Sequence, residues 1–319
     1  MDNMSSPSNF LLLQFSAVWE LQILHFLLFL ILYLAIVLGN LLIISAVIFD
    51  HYLHTPMYFF LMNLAILDLG SISTIIPKSM GNSFMNSRNI SYSECVVQVF
   101  CFISFVESDF FLLTVMAYDR YVAICHPLHY GILMNRQACA QIVLCVWLMG
   151  IFNGAMHTTG TFAIPFCSNV VNQFYCEIPQ LLKLSCSDSY QPELTILVIN
   201  IMIEGACFVF IIITYVLIFT AILKIPSVHG RQKAFATCLP HLTVFSIFIF
   251  TGWFAYLKPP SNTSSSWDLA LTMIYTFVPP LLNPVIYSMR NKELTVALTK
   301  LFLSACSSTE TYFNVFVSQ

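Results

Sequence analysis

Seven apolar stretches, each long enough to cross a lipid bilayer as a helix, constrain this chain more than any other feature of its sequence. They run over residues 24–49, 57–80, 95–124, 140–162, 195–223, 237–257 and 268–289. A spanning helix needs roughly 20 mainly apolar residues. Only 8% of the 319 residues are charged and 58% are hydrophobic, against roughly 25% charged in an ordinary soluble domain. That is too little polar surface to cover a water-facing core of this size, and lipid removes the need. The sequence therefore predicts an all-α membrane protein, a seven-transmembrane helix bundle, with membrane lipid as its solvent. With a net charge of −3 and no long basic run, nothing suggests nucleic acid, and none is expected as a partner.

Short polar or proline-containing connectors separate the stretches, except at residues 163–194, a long loop with three cysteines. The expected division is an extracellular N-terminus, 1–23, a bundle, 24–289, and a cytoplasmic tail, 290–319. Residues 1–23 lack a basic n-region and a cleavage site, so they do not read as a removable signal peptide. The first stretch is expected to act as an uncleaved anchor. The tail opens on Arg290, Asn291, Lys292 and Glu293, then spaces Leu294, Ala297, Leu298 and Leu301 along one helical face. That spacing predicts a short amphipathic C-terminal helix over 291–303, lying on the membrane surface.

Two signals bear on sidedness. With the N-terminus outside, the inner side holds Arg120, Arg136, Lys224, Arg231, Lys233, Arg290, Lys292 and Lys300, and the outer side Lys78, Arg88, Lys183 and Lys258. Eight against four follows the positive-inside bias. The Asn-x-Ser/Thr glycosylation acceptors at Asn3, Asn89 and Asn262 all fall outside. A multi-pass plasma-membrane protein with its C-terminus in the cytoplasm is the expected topology. Four of the eleven cysteines, Cys95, Cys167, Cys176 and Cys186, also fall outside, where disulfides persist. Their three possible pairings are not distinguished by sequence. The other seven read as free thiols, and without a C-x-x-C pair no zinc site is expected.

The most informative string is Met116-Ala117-Tyr118-Asp119-Arg120-Tyr121-Val122-Ala123-Ile124-Cys125, at the inner end of the third stretch. An Asp-Arg pair at a membrane boundary either locks onto itself or releases the Arg to a new partner, which makes a bistable element. The blander reading is two charges snorkelling to the interface. The pair alone does not separate the two.

The longer string resembles the signature of vertebrate odorant receptors, a branch of the rhodopsin-like G-protein-coupled receptors. Further motifs carry the same resemblance over most of the chain: Gly39-Asn40, Pro56-Met57-Tyr58-Phe59-Phe60-Leu61, Leu64-Ala65-Ile66-Leu67-Asp68, Lys224-Ile225-Pro226-Ser227, Lys233-Ala234-Phe235-Ala236-Thr237-Cys238 and Pro280-Leu281-Leu282-Asn283-Pro284-Val285-Ile286-Tyr287-Ser288-Met289-Arg290-Asn291. The second motif and the long loop look like the tetrapod-type branch. Departures concentrate in the fifth and sixth stretches. Phe248-Ile249-Phe250 stands where Phe-Tyr-Gly is usual, Pro240 replaces Ser, Cys207 replaces Pro, and Thr214-Tyr215 replaces Ser-Tyr.

The resemblance implies the disulfides Cys95–Cys176 and Cys167–Cys186. It implies an odorant cavity in the outer half of the bundle, lined by Phe102, Ile103, Val106, Glu107, Ile199, Asn200, Ile203 and Tyr256. It also implies a switch built from Asp119, Arg120, Tyr121, Tyr215, Asn283, Pro284 and Tyr287. Ligand binding would part the inner ends of spans three, five and six, admit the olfactory stimulatory G protein and raise cyclic AMP.

Four acidic residues lie where lipid favours none. The resemblance groups Asp68 and Asp109 with Asn40 and Asn283 as a central polar pocket for a sodium ion, water or a shared proton. A network that only packs the spans is the alternative. Glu107 and Glu204 either share a proton as a structural pair or meet a cationic or hydrogen-bonding ligand. No inverted repeat or polar pore ring suggests a transporter or channel. No H-E-x-x-H or G-x-S-x-G suggests an enzyme, and no cofactor is implied. His157, in the fourth stretch, reads as a packed, hydrogen-bonded histidine.

Overall fold

A computed structural model describes residues 8–14, 18–186, 191–256, 266–290, 292–301 and 303. Seven long helices form the bundle: α1 (Trp19–Phe49), α2 (Pro56–Phe84), α3 (Tyr92–Cys125), α4 (Arg136–Phe162), α5 (Gln191–Leu223), α6 (Val228–Tyr256) and α7 (Ser266–Arg290). Each contains an apolar window fit to cross a membrane. The surface agrees with that reading. Ile31 is 64% exposed, Leu38 59% and Val216 58%. Apolar exposure on this scale has no place on a water-soluble monomer. The protein is a multi-pass membrane protein.

Local chemistry sets the helix ends. Pro56 sits in the first turn of α2, where its missing N–H costs nothing. Ser91 and Glu94 form a reciprocal capping box at the start of α3. The Asn135 side chain caps α4 by accepting from the Ala138 N–H at 2.9 Å. A last described helix, α8, over residues 292–301, turns Leu294 and Ala297 into the bundle's core. Tyr58 donates to Glu293 at 2.8 Å and Lys300 reaches Asp50 at 3.1 Å, fixing this last helix from both sides.

α3 runs through the centre, packed on α2, α4, α5 and α6. Its closest approach is to α4, and glycines allow it. A Cβ on Gly150 would stand 2.5 Å from the Ser104 carbonyl oxygen, and one on Gly154 would stand 2.8 Å from the Phe100 carbonyl oxygen. Backbone cannot give way there as a side chain would. Gly150→Ala is expected to destabilise the bundle by about 1–3 kcal/mol through overpacking, read as a lower melting temperature of the detergent-solubilised protein. Gly81→Ala, with nothing within 4 Å of the added carbon, is the control and should melt like the parent.

One end of the bundle is roofed, and sequence gave no hint of how. The strand β1 (Asn9–Leu11) pairs antiparallel with β2 (Asn89–Ser91), Phe10 opposite Ile90. β1 also bonds to the long loop, Leu11 N–H to Asn169 O at 2.7 Å and Leu13 N–H to Gln173 O at 2.9 Å. Phe10 is fully buried, edge-on to Phe166. Asn86 turns the chain between α2 and β2 at φ 49°, a left-handed conformation asparagine tolerates, while its Oδ1 accepts from Gln14 and Gln22.

The long loop is the rest of the roof. Cys95 at the start of α3 is bonded to Cys176, and Cys167 to Cys186, the pairing expected from the resemblance. The Cys176 N–H donates to Gln98 Oε1 at 2.8 Å, and Ser79 donates to the Phe174 carbonyl at 2.7 Å. Among the described residues the remaining cysteines are free thiols.

Candidate ligand cavity and switch

Beneath this lid lies a cavity of about 540 Å³, walled by α3, α5, α6 and α7. That is the size of a small-molecule pocket. Phe102, Ile103, Val106, Glu107 and Asn200 line it, as the resemblance implied. Ile199 does not. It is 55% exposed on the outside of α5, because each helical residue turns about 100° from the last and Asn200 takes the inward direction. Ile203 is part-buried but off the cavity wall, which α5 builds with Asn200 and Glu204 instead. The Tyr256 side chain and the acceptors Asn3 and Asn262 lie outside the described residues. Asn89 is exposed at the lid end, in β2.

The acidic residues sort into three groups. At the α3–α5 wall, the Asn200 amide donates to Glu107 Oε1 at 2.8 Å and to Glu204 Oε1 at 2.9 Å. One amide thus bridges the two carboxyls. Beside them, His157 Nδ1 meets Glu193 Oε1 at 2.7 Å, both buried. Glu193 escaped sequence reasoning because it sits at the loop–span boundary, 36 residues from its partner.

In the lid, Glu177 follows the bridged Cys176 and is buried. It accepts from the Tyr275 hydroxyl at 2.5 Å and from Thr272 at 3.4 Å, both on α7. Tyr275 is also paired with the Tyr175 hydroxyl. Burial pushes the Glu177 carboxyl up to about 7, against the pull of these hydrogen bonds. A single glutamate in a polar loop gave no signal for this.

Deeper, Asp68 accepts from the Asn283 amide at 2.8 Å, and Asn40 donates to the Pro280 carbonyl at 3.1 Å. Asp68 and Asp109 both border the cavity floor. Asn40 Oδ1, Asp109 Oδ1 and Asn283 Oδ1 are buried without a hydrogen-bond partner. Pro284 packs within 3.3 Å of where a Cβ on Gly39 would stand.

The opposite end of α3 carries the Asp-Arg pair. Asp119 is buried, accepts from Arg120 through Oδ2 and from the Tyr130 hydroxyl through Oδ1 at 2.8 Å. Arg120 is locked onto its neighbour. Tyr121 meets His126 at 3.0 Å, and the Tyr287 hydroxyl is buried without a partner. Tyr215 turns to His241 instead, at 2.8 Å. The other ring nitrogen of His241 meets the Leu113 carbonyl at 2.8 Å. A carbonyl only accepts, so Nε2 carries a proton and donates to Leu113. One histidine thus ties α6 to both α3 and α5. Above it, Phe245 and Phe248 continue along α6 and pack on Phe110 of α3. That column ends at Ile249, buried in the cavity wall where the resemblance led one to expect a tyrosine.

The sequence matches the family described as olfactory receptor over residues 29–305. It is 48% identical to human olfactory receptor 14A16, covering 93% of this chain and 96% of the relative. It is 47% identical to human olfactory receptor 14C36 over 94% and 97% of the two chains, and 46% identical to gorilla olfactory receptor 1G1 over 94% and 96%. Match and bundle agree, and the chain belongs to the olfactory receptor family.

Proposed function

We propose that this chain binds small volatile molecules beneath the lid and passes the event along α3 to a G protein of the olfactory stimulatory type, raising cyclic AMP. The observation that carries the reading is the placement of two things on one helix. α3 walls the cavity at one end and holds Arg120 on Asp119 at the other. A ligand shifts such a helix bundle only by binding one packing better than the other. The column from Phe248 through Phe245 to His241 is the mechanical link. Moving α6 away from α3 breaks the His241–Leu113 bond, frees Tyr215, and gives Arg120 a new partner when it leaves Asp119.

In this reading the lid faces the extracellular side, where Asn89 is open to glycosylation and the disulfides persist, and α8 lies in the cytoplasm. Residues 1–23 and 290–319 are then the outer and inner segments. A sodium ion would suit the deep pocket, since Asn40, Asp109 and Asn283 each keep a buried oxygen without a partner and Asn283 is bonded to Asp68, and hard cations take oxygen ligands. Bound there, it would supply the charge that lets both carboxylates stay ionised.

The test is cyclic AMP output in cells expressing the chain with that G protein, against an odorant panel. Arg120→Ala should abolish the cyclic AMP response to every member of the panel, with surface display retained. A variant that signals like the parent would sink the coupling mechanism.

A further inference from the structure

We infer that the cavity is built for a protonated amine, held at the α3–α5 wall by Glu107, Asn200 and Glu204; this rests on the reading of the cavity as the ligand site. Both donors of the Asn200 amide are spent on the two glutamates, at 2.8 and 2.9 Å. That fixes the amide's orientation and leaves Oδ1 as an acceptor without a partner. Glu107 Oε2 is a second buried oxygen without one. The two residues are 6% and 8% exposed and both line the cavity. Leaving such atoms unpaired is costly, and a ligand that brings N–H donors relieves it.

Charge points the same way. Glu107, Glu204 and Glu193 stand on this side of the cavity. Among the described lining residues the basic side chains are His157, whose Nδ1 is committed to Glu193, and Lys183, exposed in the lid. An anionic ligand meets three carboxyls. A neutral alcohol brings one donor. An ammonium brings three donors and the missing charge. The apolar part of the wall, with Phe102, Ile103 and Ile249, asks for a compact hydrocarbon body.

The experiment compares three molecules of one shape: cyclohexylamine, cyclohexanol and cyclohexanecarboxylic acid. Thermal stabilisation of the purified full-length receptor reports binding without a G protein. The amine should bind at least about tenfold tighter than the alcohol, the worth of one charge-assisted bond, and the acid should give no shift. Glu107→Gln should remove that advantage. If this variant does not fold, Glu204→Gln takes its place, and if neither folds, the ranking in the parent decides. Equal or tighter binding of the alcohol or acid, no stabilisation by any of the three, or an amine affinity unchanged by the substitution overturns the inference. A parallel cyclic AMP assay separates the two readings. Amine binding without a signal would overturn the proposed coupling alone. Signalling by the alcohol or acid with the amine silent would overturn the amine assignment alone.

Discussion

Replacing Cys176 with serine is expected to cost about 4 kcal/mol of stability and to leave little receptor at the cell surface. The bond to Cys95 closes a loop of 81 residues, and in the chain-entropy account the benefit of a crosslink grows with the loop it closes. The loss reaches further than the bond. Cys176 carries the backbone N–H held by Gln98, and its neighbours Phe174 and Tyr175 are among the most buried side chains of the lid. Cys167→Ser opens a bridge spanning 19 residues, so a smaller loss, about 3 kcal/mol, is expected. Cys145→Ser alters an exposed free thiol and should change little. Melting temperatures and surface staining of the three variants check the order. An equal loss in all three would show that the lid's tether is not what holds this end together.

The stability of the closed lid should fall as pH rises from about 4.5 to about 7 and level off above. Glu177 is the cause. Its carboxyl sits near the ordinary value of 4.5 when the lid is open and at about 7 when it is buried. Below 4.5 it is protonated in both states and the closed lid keeps its full stability. Between the two values only the closed lid holds the proton, so each rise in pH favours opening. The whole effect amounts to about 3 kcal/mol, at 1.36 per pH unit of separation. Glu177→Gln keeps the hydrogen-bonding shape without the titration. The difference in melting temperature between parent and variant should therefore grow from pH 5 to pH 7.5, with the variant more stable at the upper end. Parallel curves would rule out this group as the source.

Most of the bundle was legible because lipid simplifies the problem: an apolar run of sufficient length has few alternatives to a spanning helix. Sequence was less able to place the ends. α6 begins at Val228, nine positions before the stretch at 237–257, because its first turns carry His229, Arg231 and Lys233. Hydropathy sees apolar content, and the helix continues past it into polar surroundings. The pairing of β1 with β2 was invisible, since three-residue strands carry no periodicity and the partners are 80 residues apart. In the cavity, transfer by position found the α3 wall, where one helix face supplies four residues in register. On α5 it placed Asn200 on the wall but also named Ile199, which faces outward, and Ile203, which is off the wall. The contacts that matter most at the lid, Glu177 with Tyr275 and Glu193 with His157, join distant segments and only appear once the helices are packed.

The lid is fastened unevenly. On the α3 side it is covalent, through Cys95 and Cys176; on the α7 side it is held by Gln173 on Thr272 at 2.8 Å and by Tyr275 on Glu177. A flap hinged this way can part at α7 without breaking a disulfide. How long a molecule stays inside then depends on lid hydrogen bonds made by residues that also line the cavity, and affinity among related binders differs mainly in that departure step. Two chains alike at the α3–α5 wall but different at 173, 177 and 275 would register one odour for different lengths of time.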